Sequence, residues 1–148
     1  MTPLFREHWY PLVGGLLVAA AWCFLHVEFP APDPARDLYA TTVSLASITV
    51  GFLATAMSIV VSTPDGPLVK KLASSGYLKD LIRYLREPFL VGLLVCAICL
   101  VGFVLPEKVT QTAAFGATWS GATAWMLLGL VRIGVIFVRL LSYAGKDR

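Results

Sequence analysis

Apolar residues run along this chain in four long stretches separated by short polar connections. The stretches cover about residues 11–28, 38–62, 88–105 and 113–133. A helix needs roughly 17–25 residues to cross the hydrocarbon layer of a bilayer, and each stretch has that length. The pattern therefore predicts an all-α, polytopic membrane protein with four transmembrane helices, built as a single domain over residues 1–148.

The second stretch carries small or polar residues at alternating steps of three and four. These residues are Thr41, Ser44, Gly51, Thr55, Ser58 and Ser62, and Ile48 fills the position between Ser44 and Gly51 in the same row. This spacing places the side chains on one helix face, called here the small-residue stripe. Close backbone approach drives helix packing in lipid, so the stripe predicts packing within the monomer or between protomers. The alternative is that it lines a polar path, and its hydroxyls can also bond the carbonyl four residues back.

The glycine at the middle of this stripe sharpens the prediction. Glycine costs helix stability relative to alanine, so Gly51 indicates that another backbone or a passage uses the space. Gly51→Leu is therefore expected to be disruptive, whereas Leu53→Ile, which lies off the stripe, is expected to be nearly silent.

Small residues also recur in two other stretches. In the first stretch the row is Gly15, Ala19 and Cys23; in the fourth the rows are Gly116, Ser120 and Ala124, and Ala117 and Gly121. Small residues at steps of four let two helices approach closely, so the first row predicts a packing seam.

The segment 67–87, between the second and third stretches, has an amphipathic pattern. Its apolar residues at helical spacing are Leu78, Leu81, Ile82 and Leu85. The residues on the other side are Lys79, Asp80, Arg83, Arg86 and Glu87. The pattern predicts a cytoplasmic amphipathic helix that lies on the membrane or against the bundle. Pro88 would then start or kink the third span.

Composition agrees with a membrane location. The chain is 57% hydrophobic and 14% charged, whereas soluble domains carry about 25% charged residues. Apart from Glu28, at the very end of the first stretch, no Asp or Glu falls within the four stretches. Ion-coupled transporters usually keep a carboxylate at depth, so a small four-helix exporter is disfavoured.

Basic residues are distributed unevenly between the two sides of the predicted bilayer. If both termini and the 63–88 connection are cytoplasmic, ten of the twelve Lys and Arg lie inside, and only Arg36 and Lys108 lie outside. By the positive-inside rule this predicts a bacterial inner-membrane protein with both termini cytoplasmic. The predicted contacts to lipid headgroups or to a partner are Lys70, Lys71, Lys79, Arg83, Arg86, Arg132 and Arg139. Anionic lipid is the expected ligand, and Arg132 is expected to snorkel to the inner interface, with a gating or lipid-phosphate contact as the alternative.

Two cysteines in the third stretch, Cys96 and Cys99, form a C-x-x-C pair. The pair is either a thiol–disulfide centre or two small packing residues. Packing is favoured, because a reactive thiol needs exposure and a stabilised thiolate, and neither is expected in the middle of a span.

Other chemistry is not indicated. His8 and His26 lie at opposite ends of the first stretch, and no histidine joins the cysteines, so we expect no metal site. The sequence contains no nucleophile–base–acid set, phosphate loop or nucleic-acid-binding signature. We expect no cofactor, no enzymatic activity and no direct contact with nucleic acid.

The run from Ser47 to Thr55, followed by the basic segment 68–84, resembles a pattern in small bacterial four-span inner-membrane proteins. The layout is also similar to that of the membrane component of the Kiwa anti-phage system. The resemblance includes no catalytic motif, so no functional residue carries over. It implies an inner-membrane location, oligomeric assembly and a part in phage defence.

Three functions follow as hypotheses. The first is a non-enzymatic, homo-oligomeric inner-membrane protein that acts with a cytoplasmic protein partner, as a membrane-sensing or channel-like component. The second is a membrane-embedded thiol oxidoreductase that uses Cys96 and Cys99. The third is a small channel or transporter that acts alone.

Overall fold

The structure is a computed structural model that describes residues 3–25, 32–62 and 77–144. Nearly all of these residues are helical and none lies in a strand, so the predicted all-α class is confirmed. The helices are α1 (Pro3–Phe24), α2 (Pro32–Ser62), α3 (Tyr77–Val104), the one-turn α4 (Glu107–Thr110) and α5 (Ala113–Ala144).

Three of the helices contain a segment long and apolar enough to cross a membrane. The segments are Asp33–Ile59 in α2, Leu81–Val104 in α3 and Ala113–Val138 in α5. These segments support a membrane-spanning protein. The apolar part of α1, Trp9–Phe24, is shorter than the other three.

The long helices pack in the spatial order α1, α5, α3, α2. Each neighbouring pair is antiparallel, because residues early in one helix contact residues late in the next. For α2 and α3 the contacts are Tyr39 with Phe103 and Leu53 with Leu85. For α3 and α5 they are Pro88 with Gly129 and Gly102 with Phe115. For α1 and α5 they are Gly14 with Leu128 and Trp22 with Gly116. The starts of α1 and α3 therefore meet the ends of α2 and α5 at one end of the bundle, called here the Arg132 end.

Two buried clusters hold α2, α3 and α5 together. The larger one comprises Ala35, Tyr39, Ala46, Val91, Val95, Cys99, Ala122 and Met126, and the smaller one, at the Arg132 end, comprises Leu53, Leu81, Leu85 and Ile133. Leu53 is fully buried, so Leu53→Ile, which was expected to be nearly silent because Leu53 lies off the stripe, is a change of side-chain shape in the core. The side of α2 that lies off the stripe therefore contains a residue of the core.

The opposite end of the bundle is closed by an aromatic cluster. The buried Tyr39 ring makes edge-on contacts with Phe103, Phe115 and Trp119, at centroid distances of 5.7, 6.1 and 6.4 Å. Trp22 of α1 also meets Trp119 edge-on, at 6.4 Å. Aromatic edge-to-face pairs at these distances stabilise beyond the area that they bury, so this cluster joins all four long helices.

Small residues bring α1 and α5 into close contact. A Cβ added to Gly15 would lie 2.8 Å from the Gly121 carbonyl oxygen, and one added to Gly121 would lie 2.8 Å from the Ala19 Cβ. The predicted seam is therefore confirmed for Gly15 and Ala19. Cys23, the third member of the row, is exposed instead.

The third span differs from its prediction. Tyr77–Val104 is one continuous helix with Pro88 in its interior, so the described part of the segment 67–87 is not a separate amphipathic helix, and residues 67–76 lie outside the described residues. Leu81 and Leu85 are buried against α2 and α5, whereas Ile82 is exposed. Packing of both leucines on the bundle extends the helix through Pro88, whose ring is buried against Gly129. Neighbouring helices make such a proline tolerable in a span.

Candidate functional site

A buried ion pair joins α3 to α5 at the Arg132 end. Nη2 of Arg132 donates a 2.7 Å hydrogen bond to Oε2 of Glu87. The Arg132 side chain is 4% exposed and that of Glu87 is 18% exposed. Both residues lie within the apolar segments of their helices. Charged side chains at such positions are costly and are normally paired, as these two are.

Two aromatic side chains complete the surroundings of the pair. Nε1 of Trp125 donates a 3.0 Å hydrogen bond to Oε1 of Glu87, so each carboxylate oxygen accepts a hydrogen bond. The Arg132 guanidinium carbon lies 4.8 Å from the centroid of the Tyr84 ring, within the range of a cation–π interaction. Tyr84 and Glu87 are three residues apart on α3, and Trp125 and Arg132 are seven apart on α5, so each couple shares one helix face.

Sequence reasoning missed this pair. It placed Glu87 in the connection before a span that started at Pro88, and it expected Arg132 to snorkel to the interface. The structure corrects both points, because α3 runs through Pro88 and Arg132 faces the bundle interior. One signal was present in the sequence: Glu87 and Arg132 stand at the corresponding ends of two spans that antiparallel packing brings together.

A groove opens beside the ion pair, between α1 and α3 and above α5. Its volume is about 390 Å³. The lining residues include Trp9 and Leu12 from α1, Arg83, Arg86 and Leu90 from α3, and Trp125 from α5. Both α1 and α3 pack on α5, so α5 forms the floor of the groove and the two other helices form its walls.

Arg83 and Arg86 bring positive charge to this groove. Both side chains are exposed, and neither makes an ion pair or hydrogen bond with the side chains that the structure describes. The carboxylate on the same wall, Glu87, already accepts hydrogen bonds from Arg132 and Trp125. The groove therefore combines an apolar interior with two guanidinium groups that have no ion-pair partner among the described side chains.

The remaining predicted headgroup contacts are less well defined. Lys70 and Lys71 lie outside the described residues. Lys79 is near the start of α3 and Arg139 near the end of α5, which places both positions at the Arg132 end, but their side chains lie outside the described ones.

The small-residue stripe faces away from its own bundle. Its six residues are all exposed, and a Cβ added to Gly51 would meet no atom within 4 Å. The stripe therefore does not pack within the described monomer, where α2 instead buries the face that contains Thr42, Ala46 and Thr49. This orientation leaves another protomer, a polar path or lipid as the surroundings of the stripe.

The hydroxyl groups of the stripe are satisfied by their own helix. The Thr55 hydroxyl donates to the carbonyl of Gly51 and the Ser58 hydroxyl to that of Ala54, both at 2.9 Å. Thr41 and Ser44 donate to the carbonyl four residues back, at 2.8 and 2.9 Å, and Ser62 to that of Ile59, at 3.3 Å. Local bonds of this kind let a hydroxyl face an apolar environment without a partner helix.

The C-x-x-C cysteines occupy different environments. Cys99 is fully buried in the larger core cluster, whereas Cys96 is half-buried, with its sulfur 3.9 Å from the Ser47 hydroxyl oxygen. Cys99 thus has the surroundings of a small core residue and lacks the exposure that thiol exchange requires.

Comparisons with protein-family models, with curated proteins and with solved structures find no match to this chain. The function is therefore inferred from the geometry of the fold and of the Arg132 end.

Proposed function

We propose that this chain is a non-enzymatic, four-span inner-membrane protein that self-associates and acts as a membrane-sensing or channel-like component with a protein partner. In this proposal α1 is the fourth span, and both termini face the cytoplasm. A cytoplasmic partner and a part in phage defence are supported by the resemblance to the Kiwa membrane component alone.

The observation that carries the proposal is the grouping of basic positions at one end of alternating antiparallel helices. The helices place Arg6, Lys79, Arg83, Arg86, Arg132 and Arg139 at the Arg132 end. Arg36 in α2 and Lys108 in α4 lie at the opposite end. The positive-inside rule then makes the Arg132 end cytoplasmic.

Topology mapping tests this orientation. Single cysteines are introduced in a variant whose three native cysteines are replaced by alanine. Cysteines at positions 33 and 108 should react with a membrane-impermeant maleimide added to intact spheroplasts, whereas those at 75 and 146 should react only after the membrane is opened. Labelling of position 75 in intact spheroplasts would contradict the proposed topology.

Self-association through the small-residue stripe is supported by the orientation of α2. Gly51 leaves an open notch on the outer surface, beside the exposed side chains of Ile48 and Phe52. No atom of the described chain uses this space, although a helix glycine costs about 1 kcal/mol relative to alanine. A second copy of α2 is the occupant that a small-residue face fits best.

The same substitution at two open glycines tests the interface. Gly51 and Gly134 are both exposed, and a Cβ at either would meet no atom within 4 Å, so the monomer should tolerate leucine equally at both. Gly51→Leu should raise the dissociation constant of the oligomer by about tenfold or more, because overpacking of an interface costs about 1–3 kcal/mol. Gly134→Leu, on α5, should leave it unchanged.

The readout is energy transfer between labelled copies that are diluted with lipid in vesicles. Equal dissociation constants for the two leucine variants would remove the stripe from the interface. Flux of small ions through the same vesicles reports on the channel-like alternative, since a leucine in a wetted wall would lower permeation.

A further inference from the structure

We propose that the groove between α1 and α3 binds the phosphate group of an anionic phospholipid, with Arg83 and Arg86 as the phosphate-binding residues. This inference rests on the proposed membrane location, and it adds a defined ligand site to it. The ligand chemistry is a phosphate with an attached apolar chain.

The charge balance of the groove favours an anion. Among the described residues that line it, Arg83 and Arg86 contribute two positive charges and Glu87 one negative charge, and Arg132 behind the lining balances Glu87. Both oxygens of Glu87 are held by α5 side chains, at 2.7 Å by Arg132 and at 3.0 Å by Trp125. Because the charge of Glu87 is balanced by Arg132, the described residues leave the positive charges of Arg83 and Arg86 facing the groove.

The spacing of the arginines suits a phosphate. Residues three apart on a helix are neighbours on one face, with about 5–6 Å between their Cβ atoms. A guanidinium presents a planar fork of donors that matches two phosphate oxygens. Two such forks side by side can grip one phosphate through several of its oxygens.

The apolar interior of the groove favours a lipid as the source of that phosphate. Leu90 and Val91 lie about one turn deeper in the span than Arg86, and Leu12 faces them from α1. Trp9 lies at the rim and is 55% exposed, as expected for an aromatic residue at a membrane interface. Free phosphate would use the arginines alone, whereas a phospholipid would also cover the apolar walls.

Quenching of tryptophan fluorescence tests the site directly. Trp9 and Trp125 line the groove, so phosphatidylglycerol with brominated acyl chains, added to the purified protein in non-ionic detergent, should quench fluorescence saturably. Brominated phosphatidylcholine, which carries no net charge, should bind much more weakly. Because the protein is in detergent, the result does not depend on its orientation in a membrane.

Two double variants separate the groove from general electrostatics. Arg83→Gln with Arg86→Gln should weaken binding of phosphatidylglycerol by about 30-fold, since each basic residue near a membrane surface contributes roughly a factor of five. Arg36→Gln with Lys108→Gln removes the same charge from the opposite end and should change the affinity by less than about twofold. Circular dichroism melting of both variants checks that they remain folded.

Competition with inorganic phosphate distinguishes the two sources of the ligand. If a lipid is the ligand, inorganic phosphate at the same concentration should leave the quenching unchanged. Displacement of the brominated lipid by an equal concentration of inorganic phosphate would show that the arginines bind free phosphate. It would contradict the proposal that a phospholipid is the ligand. The proposed site would be wrong if Arg83→Gln with Arg86→Gln bound phosphatidylglycerol as tightly as the wild type. It would also be wrong if Arg36→Gln with Lys108→Gln lost the same affinity.

Discussion

Glu87→Gln is expected to lower the free energy of unfolding by about 3 kcal/mol, near the low end for breaking a buried ion pair. The substitution leaves the Arg132 guanidinium, 4% exposed, without its counter-charge. The low end applies because the one glutamine oxygen can still accept the hydrogen bond from Arg132, although the amide NH2 group then faces the Trp125 Nε1 donor. Reversible unfolding by SDS titration in mixed micelles measures the loss.

A double variant shows whether the effect arises from the pairing. Replacement of both charges, as in Glu87→Leu with Arg132→Met, should recover most of the lost stability, since apolar replacement of a buried pair is often neutral or stabilising. Arg36→Gln, an exposed change at the opposite end, should stay within about 0.5 kcal/mol of the wild type. A loss for the double variant equal to the sum of the losses for Glu87→Leu and Arg132→Met alone would show that the two charges are not coupled.

The positions of the helices could be predicted largely from the apolar pattern. The stretches 38–62 and 113–133 lie inside α2 and α5, because long apolar runs with at most one charge have few alternatives in a membrane protein. That Gly15 and Ala19 belong to a packing seam also followed from the sequence, since close backbone approach requires small side chains, but its partner α5 did not.

The orientation of α2 could not be predicted in the same way. In a bilayer both the core and the surroundings are apolar, so hydrophobicity does not separate a buried face from an exposed one. The hydroxyls of Thr55 and Ser58 bond their own backbone, which removes the need for burial that their polarity suggested. Leu53, an ordinary lipid-facing residue by type, fills the core instead.

The ion pair was hidden for a different reason. Glu87 and Arg132 are 45 residues apart, and neither lies in a recognisable motif. Pro88 gave a plausible helix start one residue after Glu87, so the carboxylate was assigned to the connection. Because Leu81 and Leu85 are buried against α2 and α5, the helix begins before Pro88. Glu87 therefore lies within the bundle.

Gly121→Leu is expected to detach α1 from the rest of the bundle. A Cβ at this position would already lie 2.8 Å from the Ala19 Cβ and 3.0 Å from the Gly15 carbonyl oxygen. A leucine adds three further carbon atoms where two backbones meet, so the cost is about 3 kcal/mol or more. Since α1 packs mainly on α5, the core formed by α2, α3 and α5 should stay folded.

Hydrogen exchange followed by mass spectrometry resolves this local effect. In Gly121→Leu, amides of residues 9–24 should lose protection, whereas those around Val95 and Cys99 in the larger core cluster should keep it. Gly134→Leu is the matched control, because it makes the same change on the same helix at a site with no atom within 4 Å. Its exchange should match that of the wild type. Unchanged protection of residues 9–24 in Gly121→Leu would contradict this prediction. It would mean that α1, which forms one wall of the groove, is held on α5 by contacts other than that of Gly15 and Ala19 with Gly121.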